Sequence, residues 1–147
     1  MRVFIVEDCE IFRLSLMLVL AQESDIEVVG TSGSNIDDIC AKIIASGCET
    51  LLVGLRLRNC SGLDIARQVK QVNPDIPVLA LGFATDSASV ADMRKAGINV
   101  FVPMHSSNQD IAKKVRYARE NLGRCDFTGF RNLRVADTVQ SSQELSV

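Results

Sequence analysis

Tryptophan is absent from this chain, histidine and tyrosine occur once each, and aromatic residues make up only 5% of it. An interior with so few large rings must be aliphatic. With 47% of the residues hydrophobic, the composition matches the Val/Ile/Leu-built strands of a parallel sheet covered on both faces. Long apolar runs are also missing. None approaches the roughly 18 residues a membrane-crossing helix needs, and the opening MRVFIVEDCE meets a carboxylate pair too early for a signal peptide. No membrane association is expected, and a cytoplasmic location is. Neither sign of charge is in excess: 16 Lys and Arg against 18 Asp and Glu leave a net charge of -2. That balance gives no electrostatic case for nucleic acid or an anionic membrane as partner of the chain. The five cysteines, Cys9, Cys40, Cys48, Cys60 and Cys125, are odd in number and contain no C-x-x-C. Neither a disulfide framework nor a zinc site is indicated, and small reduced filler side chains are the plain reading. The single His105 has no metal-spaced partner, so no metal site is expected around it.

What is present is a rhythm. The 147 residues suit one domain with a real core. Apolar runs of about five residues alternate with stretches of helical period, the signature of a doubly wound α/β sheet with right-handed crossovers. Strands are predicted over Arg2–Glu7, Ile26–Thr31, Thr50–Gly54, Pro77–Leu81 and Val100–Pro103, and helices near Cys9–Gln22, Asn35–Ser46, Gly62–Val72, Asp86–Ala96 and Ser107–Asn121. Gly47, Gly97 and Gly123 follow helical patterns, and Asn73-Pro74 and Ile76-Pro77 separate the third helix from the fourth strand. The expected fold is a five-stranded parallel sheet between two helical layers over residues 1–123. Residues 124–147 form a tail or linker in which Phe127, Phe130, Leu133 and Val135 precede a polar end.

In an open parallel sheet, function sits at the carboxyl ends of the strands. Glu7 and Asp8 stand there after the first strand, Gly54 at the end of the third, Gly82 after the fourth and Met104 after the fifth. Paired carboxylates are oxygen ligands suited to a hard cation. The first turn, EDCEIF, lacks the Gly-rich cradle a nucleotide or flavin needs, so no cofactor is expected.

The segments VFIVEDCEIFRLSL, DIEVVGTS, LVGLRLRNCSGLDIARQV, NPDIPVLALG and AGINVFVPMHSS, in this order from Arg2 to about Gly123, resemble the receiver domain of two-component response regulators, the FixJ/NarL branch that precedes a LuxR-type helix-turn-helix. The resemblance implies a flavodoxin-like (CheY-like) fold. It also implies a site where an acidic pair and a phospho-accepting aspartate hold magnesium, while a Ser/Thr and a Lys grip the phosphoryl group. Carried over, the acidic pair is Glu7 and Asp8, the acceptor position is Gly54, the Ser/Thr position is Gly82 and the Lys position is Met104, with Phe101 at the aromatic switch position. Three of the five positions have lost their chemistry: there is no nucleophile to form an acyl phosphate, and no hydroxyl or ammonium to stabilise transferred charge. The expectation is a degenerate receiver that is no enzyme and is not phosphorylated by the ordinary route. Its emptied pocket would be filled by Arg56, Met104 or a ligand. Glu7 and Asp8 would retain at most weak cation binding, one of them resisting ionisation and Asp8 serving as helix N-cap.

The first helix adds a feature from pattern alone. Phe12, Leu16, Val19 and Leu20 form the stripe expected to face the sheet, and Leu14, Met17, Leu18 and Ala21 form a second apolar stripe. That second stripe is expected either to bind a second copy or a protein partner, or to be covered by the tail. The basic residues Lys113, Lys114, Arg116 and Arg119 of the last helix are expected on its wet face. The resulting function is a phosphorylation-independent interaction module, acting as a homodimer or through a partner in signal transduction and transcription regulation, with DNA reached only through a domain outside this chain. The alternative is a small-molecule or thiol sensor using the pocket or the flanking Cys9 and Cys60.

Overall fold

The computed structural model describes residues 1–83 and 86–130. Strands β1 (Arg2–Val6), β2 (Glu27–Ser32), β3 (Thr50–Gly54), β4 (Val78–Gly82) and β5 (Ile98–Pro103) alternate with helices α1 (Glu10–Ala21), α2 (Ile39–Ala45), α3 (Gly62–Val72), α4 (Val90–Lys95) and α5 (Asn108–Glu120). The strands pair in parallel in the order β2-β1-β3-β4-β5. This is the flavodoxin-like, CheY-like arrangement, with its crevice where β1 and β3 diverge.

Side-chain alternation along each strand builds the two outer layers. Val3, Ile5, Leu52, Leu79, Leu81, Val100 and Val102 pack under α1 and α5, while Phe4, Val6, Leu51, Val53, Val78, Ala80 and Phe101 face α2, α3 and α4. The central strands β3 and β4 are buried along their whole length, which is why they read as continuous apolar runs. At the start of α3, Ser61 accepts a hydrogen bond from the Leu63 N–H, and Gly62 lies so close beneath β3 that a Cβ there would collide with the Gly54 carbonyl. The glycine of SGLD is therefore a close-approach residue.

Two helices begin later than their sequence pattern predicts. Asp38 adopts a left-handed conformation at φ 54° and caps α2 through the Ala41 N–H, so Asn35–Asp38 stay outside the helix. α4 starts behind the reciprocal Ser89/Asp92 capping box because Asp86 is engaged elsewhere. Its carboxylate accepts the Phe83 N–H at 2.8 Å, a local bond that competes with helix formation.

The segment after Gly123 returns to the sheet. Asp126 bridges to Val100 beside β5, exchanging backbone bonds with Phe101 and Asn99. Phe127 and Phe130 are buried in the α2/α3/α4 layer, the Phe130 ring meeting Phe101 edge-on at 5.0 Å. Both rings therefore lie on the face of the sheet opposite α1, against the expectation that they cover it. Leu133 and Val135 lie outside the described residues. Of the basic residues of α5, Lys113 stands exposed on the wet face as expected, and the other three are engaged by neighbouring groups. Lys114 donates to the carbonyls of Phe101 and Thr128, clamping the returning segment, and Arg116 and Arg119 pair with Asp25, Glu23 and Glu49.

On α1, Leu16 and Leu20 are buried as predicted. Met17, assigned to the outer stripe, instead packs partly buried against the inner cluster beside Phe12. Leu14 (47% exposed) and Leu18 (67%) face outward, joined by Ile11 at 79%. Ala21 is exposed beside them.

Candidate functional site

β1 delivers Glu7 and Asp8 together to the carboxyl edge, and the two part company there. Asp8 accepts the backbone N–H and the hydroxyl of Ser34 and the backbone N–H of Arg58. It thereby ties the loop after β1 to the loops after β2 and β3. Burial alone would raise its carboxyl, but these hydrogen bonds outweigh it and hold Asp8 below the usual carboxylate range. The expected N-cap role is not found. Cys9 holds that position without a side-chain cap bond, because the Asp8 oxygens are already engaged.

Glu7 turns inward and is 3% exposed. Its Oε1 accepts the Cys9 N–H at 3.2 Å, while Oε2 is buried with no hydrogen-bond partner. Burial, reinforced by the neighbouring Asp8 charge against the Cys9 bond, pushes its carboxyl up. Of the acidic pair, Glu7 is the member that resists ionisation.

The volume left by the two glycines is not held by Arg56 or Met104. A Cβ on Gly54 would lie 2.5 Å from Glu7 Oε2, and one on Gly82 would lie 2.5 Å from Asp86 Oδ2. Carboxyl groups arriving from neighbouring segments thus occupy the places where side chains of residues 54 and 82 would stand. Arg56 reaches Asp86 instead, Nη2 to Oδ1 at 2.7 Å. Asp86 was missed because it was assigned to a helix. The available signal was a carboxylate four residues beyond Gly82, just before the small, polar run SAS that delays the helix. Met104 is half-buried at the end of β5, its N–H held by the Gly82 carbonyl, and the Phe101 ring is fully buried.

Around these groups lies a cavity of about 470 Å³, whose walls include Phe12, Leu81, Phe83 and Met104, with Glu7 and Asp86 as carboxyl groups and His105 also on its lining. Cys9 is exposed. The Cys60 thiol is pushed up by burial and by Asp8 and Asp64, opposite to what a reactive thiol needs. Among the described residues no group of three His, Cys, Asp or Glu is placed to hold a metal ion.

A buried carboxyl with a raised pKa holds its proton more tightly in the folded than in the unfolded chain. Its stability contribution is therefore full below about 4.5 and is lost as pH rises through the folded value. Glu7→Gln, which cannot ionise, is expected to match the parent near about pH 4 and to become the more stable of the two as pH rises through the folded value of the Glu7 carboxyl. Urea melts across this range check the sign. A gap that widens toward acid would contradict the assignment.

The site is thus built on a doubly wound five-stranded parallel sheet, with an acidic pair at the end of β1 and a crevice beside β3. The response regulator receiver domain model matches residues 3–116, and the chain belongs to that family. It is 31% identical over 115 residues to the response regulator protein VraR of Staphylococcus aureus, covering 78% of this chain and 54% of that protein. The chain thus spans about half the length of the curated relatives it matches. In fold it is similar to the receiver domain of the putative response regulator NarL from Mycobacterium tuberculosis, with a TM-score of 0.70 and 23% identity over 82% of this chain and 96% of that one. A LuxR-family two-component response regulator from Aurantimonas sp. SI85-9A1 gives a TM-score of 0.71 at 13% identity, covering 99% of this chain and 98% of that one. No helix among the described residues is long and apolar enough to cross a membrane.

Proposed function

We propose that this receiver domain signals without being phosphorylated, as a constitutive cytoplasmic interaction module. The observation that carries the reading is the β3 end. Gly54 supplies no nucleophile, and the space beside it is taken by the buried Glu7 carboxyl, whose Oε2 has no hydrogen-bond partner among the described residues. Gly82 and Met104 offer nothing to stabilise a transferred phosphoryl group. The resemblance to LuxR-type regulators supports a place in transcription regulation.

The surface assigned to association is the outer side of α1, where Ile11, Leu14 and Leu18 stand exposed at helical spacing with Ala21 one turn on. The proposed occupant is a second copy of the chain. Sedimentation velocity is expected to show a dimer unchanged by acetyl phosphate, magnesium or beryllofluoride, and a monomer for Leu14→Glu/Leu18→Glu. A parent chain that is monomeric throughout, or a dimer that the double variant leaves intact, would remove α1 as the interface.

A further inference from the structure

β5 is an edge strand, and an open edge invites pairing with another chain. Here the edge is closed from within by the returning segment 124–130. The Phe101 N–H donates to the Asp126 carbonyl at 2.8 Å, and the Asp126 N–H donates to the Asn99 carbonyl at 2.7 Å. The Phe101 carbonyl takes Lys114 Nζ, which also holds the Thr128 carbonyl. Further along, Gly129 lies against Pro103, where a Cβ would meet the ring at 2.5 Å. Phe101 is thus fastened to the segment by its N–H, its carbonyl and its ring, which meets Phe130 at 5.0 Å.

The same ring also faces the site. A Cβ on Gly82 would lie 3.3 Å from Phe101 Cε1 and 2.5 Å from Asp86 Oδ2, so the ring and the carboxyl crowd one point. Residue 82 has no side chain, and Asp86 is what backs the ring there. Asp86 is itself held by Arg56, with the carboxylate side chain 5% exposed and the arginine side chain 75% exposed. The pair joins the loop after β3 to the loop after β4.

We infer that the Arg56–Asp86 pair and the returning segment form one latch and strap, in which the latch sets how firmly residues 124–130 are seated on β5. Loss of the guanidinium from Asp86 is the releasing step. The carboxylate then no longer backs Phe101, and the ring gains room at the expense of its contact with Phe130. A close-packed interior transmits such a change, because a gap removes contacts from everything that lines it. Release loosens the point from which the chain runs on to residue 131, an output that requires no phosphoryl group.

The test is amide hydrogen exchange followed by NMR on the full ¹⁵N-labelled chain. The Phe101 and Asp126 N–H groups report the strap, the Phe83 N–H bonded to Asp86 reports the latch, and the Leu51 N–H reports the centre of the sheet. Arg56→Ala removes an exposed side chain and leaves the core intact. It is expected to speed exchange at Phe101 and Asp126 about tenfold relative to Leu51, and Asp86→Ala at least as much. Coupling is reciprocal, so Phe130→Leu, a change in the strap, is expected to speed exchange at Phe83 by a similar factor. In the Arg56→Ala/Phe130→Leu double variant the effects on the strap are expected to multiply to less than their product. Strap amides within about twofold of the parent in both latch variants would overturn the proposal. So would a rise matched at Leu51, which marks global loss of stability, or strictly multiplicative effects in the double variant.

Discussion

Phe127→Ala is expected to destabilise the domain by about 3–5 kcal/mol, the cost of emptying a fully buried aromatic site. Phe127 is 1% exposed and joins the cluster formed by β5, α3 and α4, with the Arg94 guanidinium 5.5 Å from its ring centroid. In a domain of this size each kcal/mol lowers the melting temperature by roughly 2–4 °C, so the change is large in a thermal scan. Leu122→Ala is the control. That side chain is half exposed, and its loss is expected to stay within about 0.5 kcal/mol. The contrast matters because Phe127 lies beyond Gly123, where the helical period lapses. A loss below about 1 kcal/mol would mean that the returning segment contributes little to the core. A full loss makes residues 124–130 part of what holds Phe101 inward, through the Phe101–Phe130 ring contact and the Lys114 clamp.

Placing a carboxylate alone at residue 54, the proposed acceptor position, is expected to damage the protein rather than activate it. Gly54→Asp would bring a Cβ to 2.5 Å from Glu7 Oε2, displacing Glu7 and adding a third carboxyl to a corner without a lysine. A cost of about 2–3 kcal/mol follows from crowding and unpaired buried charge, with no gain in phosphoryl uptake, since residues 82 and 104 still provide neither hydroxyl nor ammonium. Adding Met104→Lys supplies the missing cation. The double variant is expected to recover about 1–2 kcal/mol of that loss, a coupling that a double-mutant cycle in urea measures directly. Strictly additive effects would mean that residues 54 and 104 do not share a site.

The architecture was legible because its signals are local and periodic. The buried runs TLLVG and VLALG can hardly be other than central strands, and Gly47 and Gly97, both at positive φ, mark helix ends where a left-handed residue is needed. The site was legible only as a set of positions. Gly54, Gly82 and Met104 stand at strand ends, but what fills the space beside the glycines depends on side chains brought from elsewhere. Glu7 folds inward and Asp86 arrives from a loop that the sequence pattern read as helix. Asp8 looked like a helix cap because it precedes α1, yet Ser34 and the Arg58 backbone compete for it across the crevice, and tertiary bonds won. Met17 illustrates the limit of helical stripes: at the boundary between two faces, a flexible side chain turns toward whichever is covered.

The central claim is that this pocket does not accept phosphate, and its most direct test is the intact mass of the purified chain after incubation with acetyl phosphate and magnesium. An unchanged mass is the expected result, with Gly54→Asp equally unmodified. Stoichiometric addition of a phosphoryl group to the parent, above all as an alkali- and hydroxylamine-labile acyl phosphate on Asp86 or Glu7, would contradict the account.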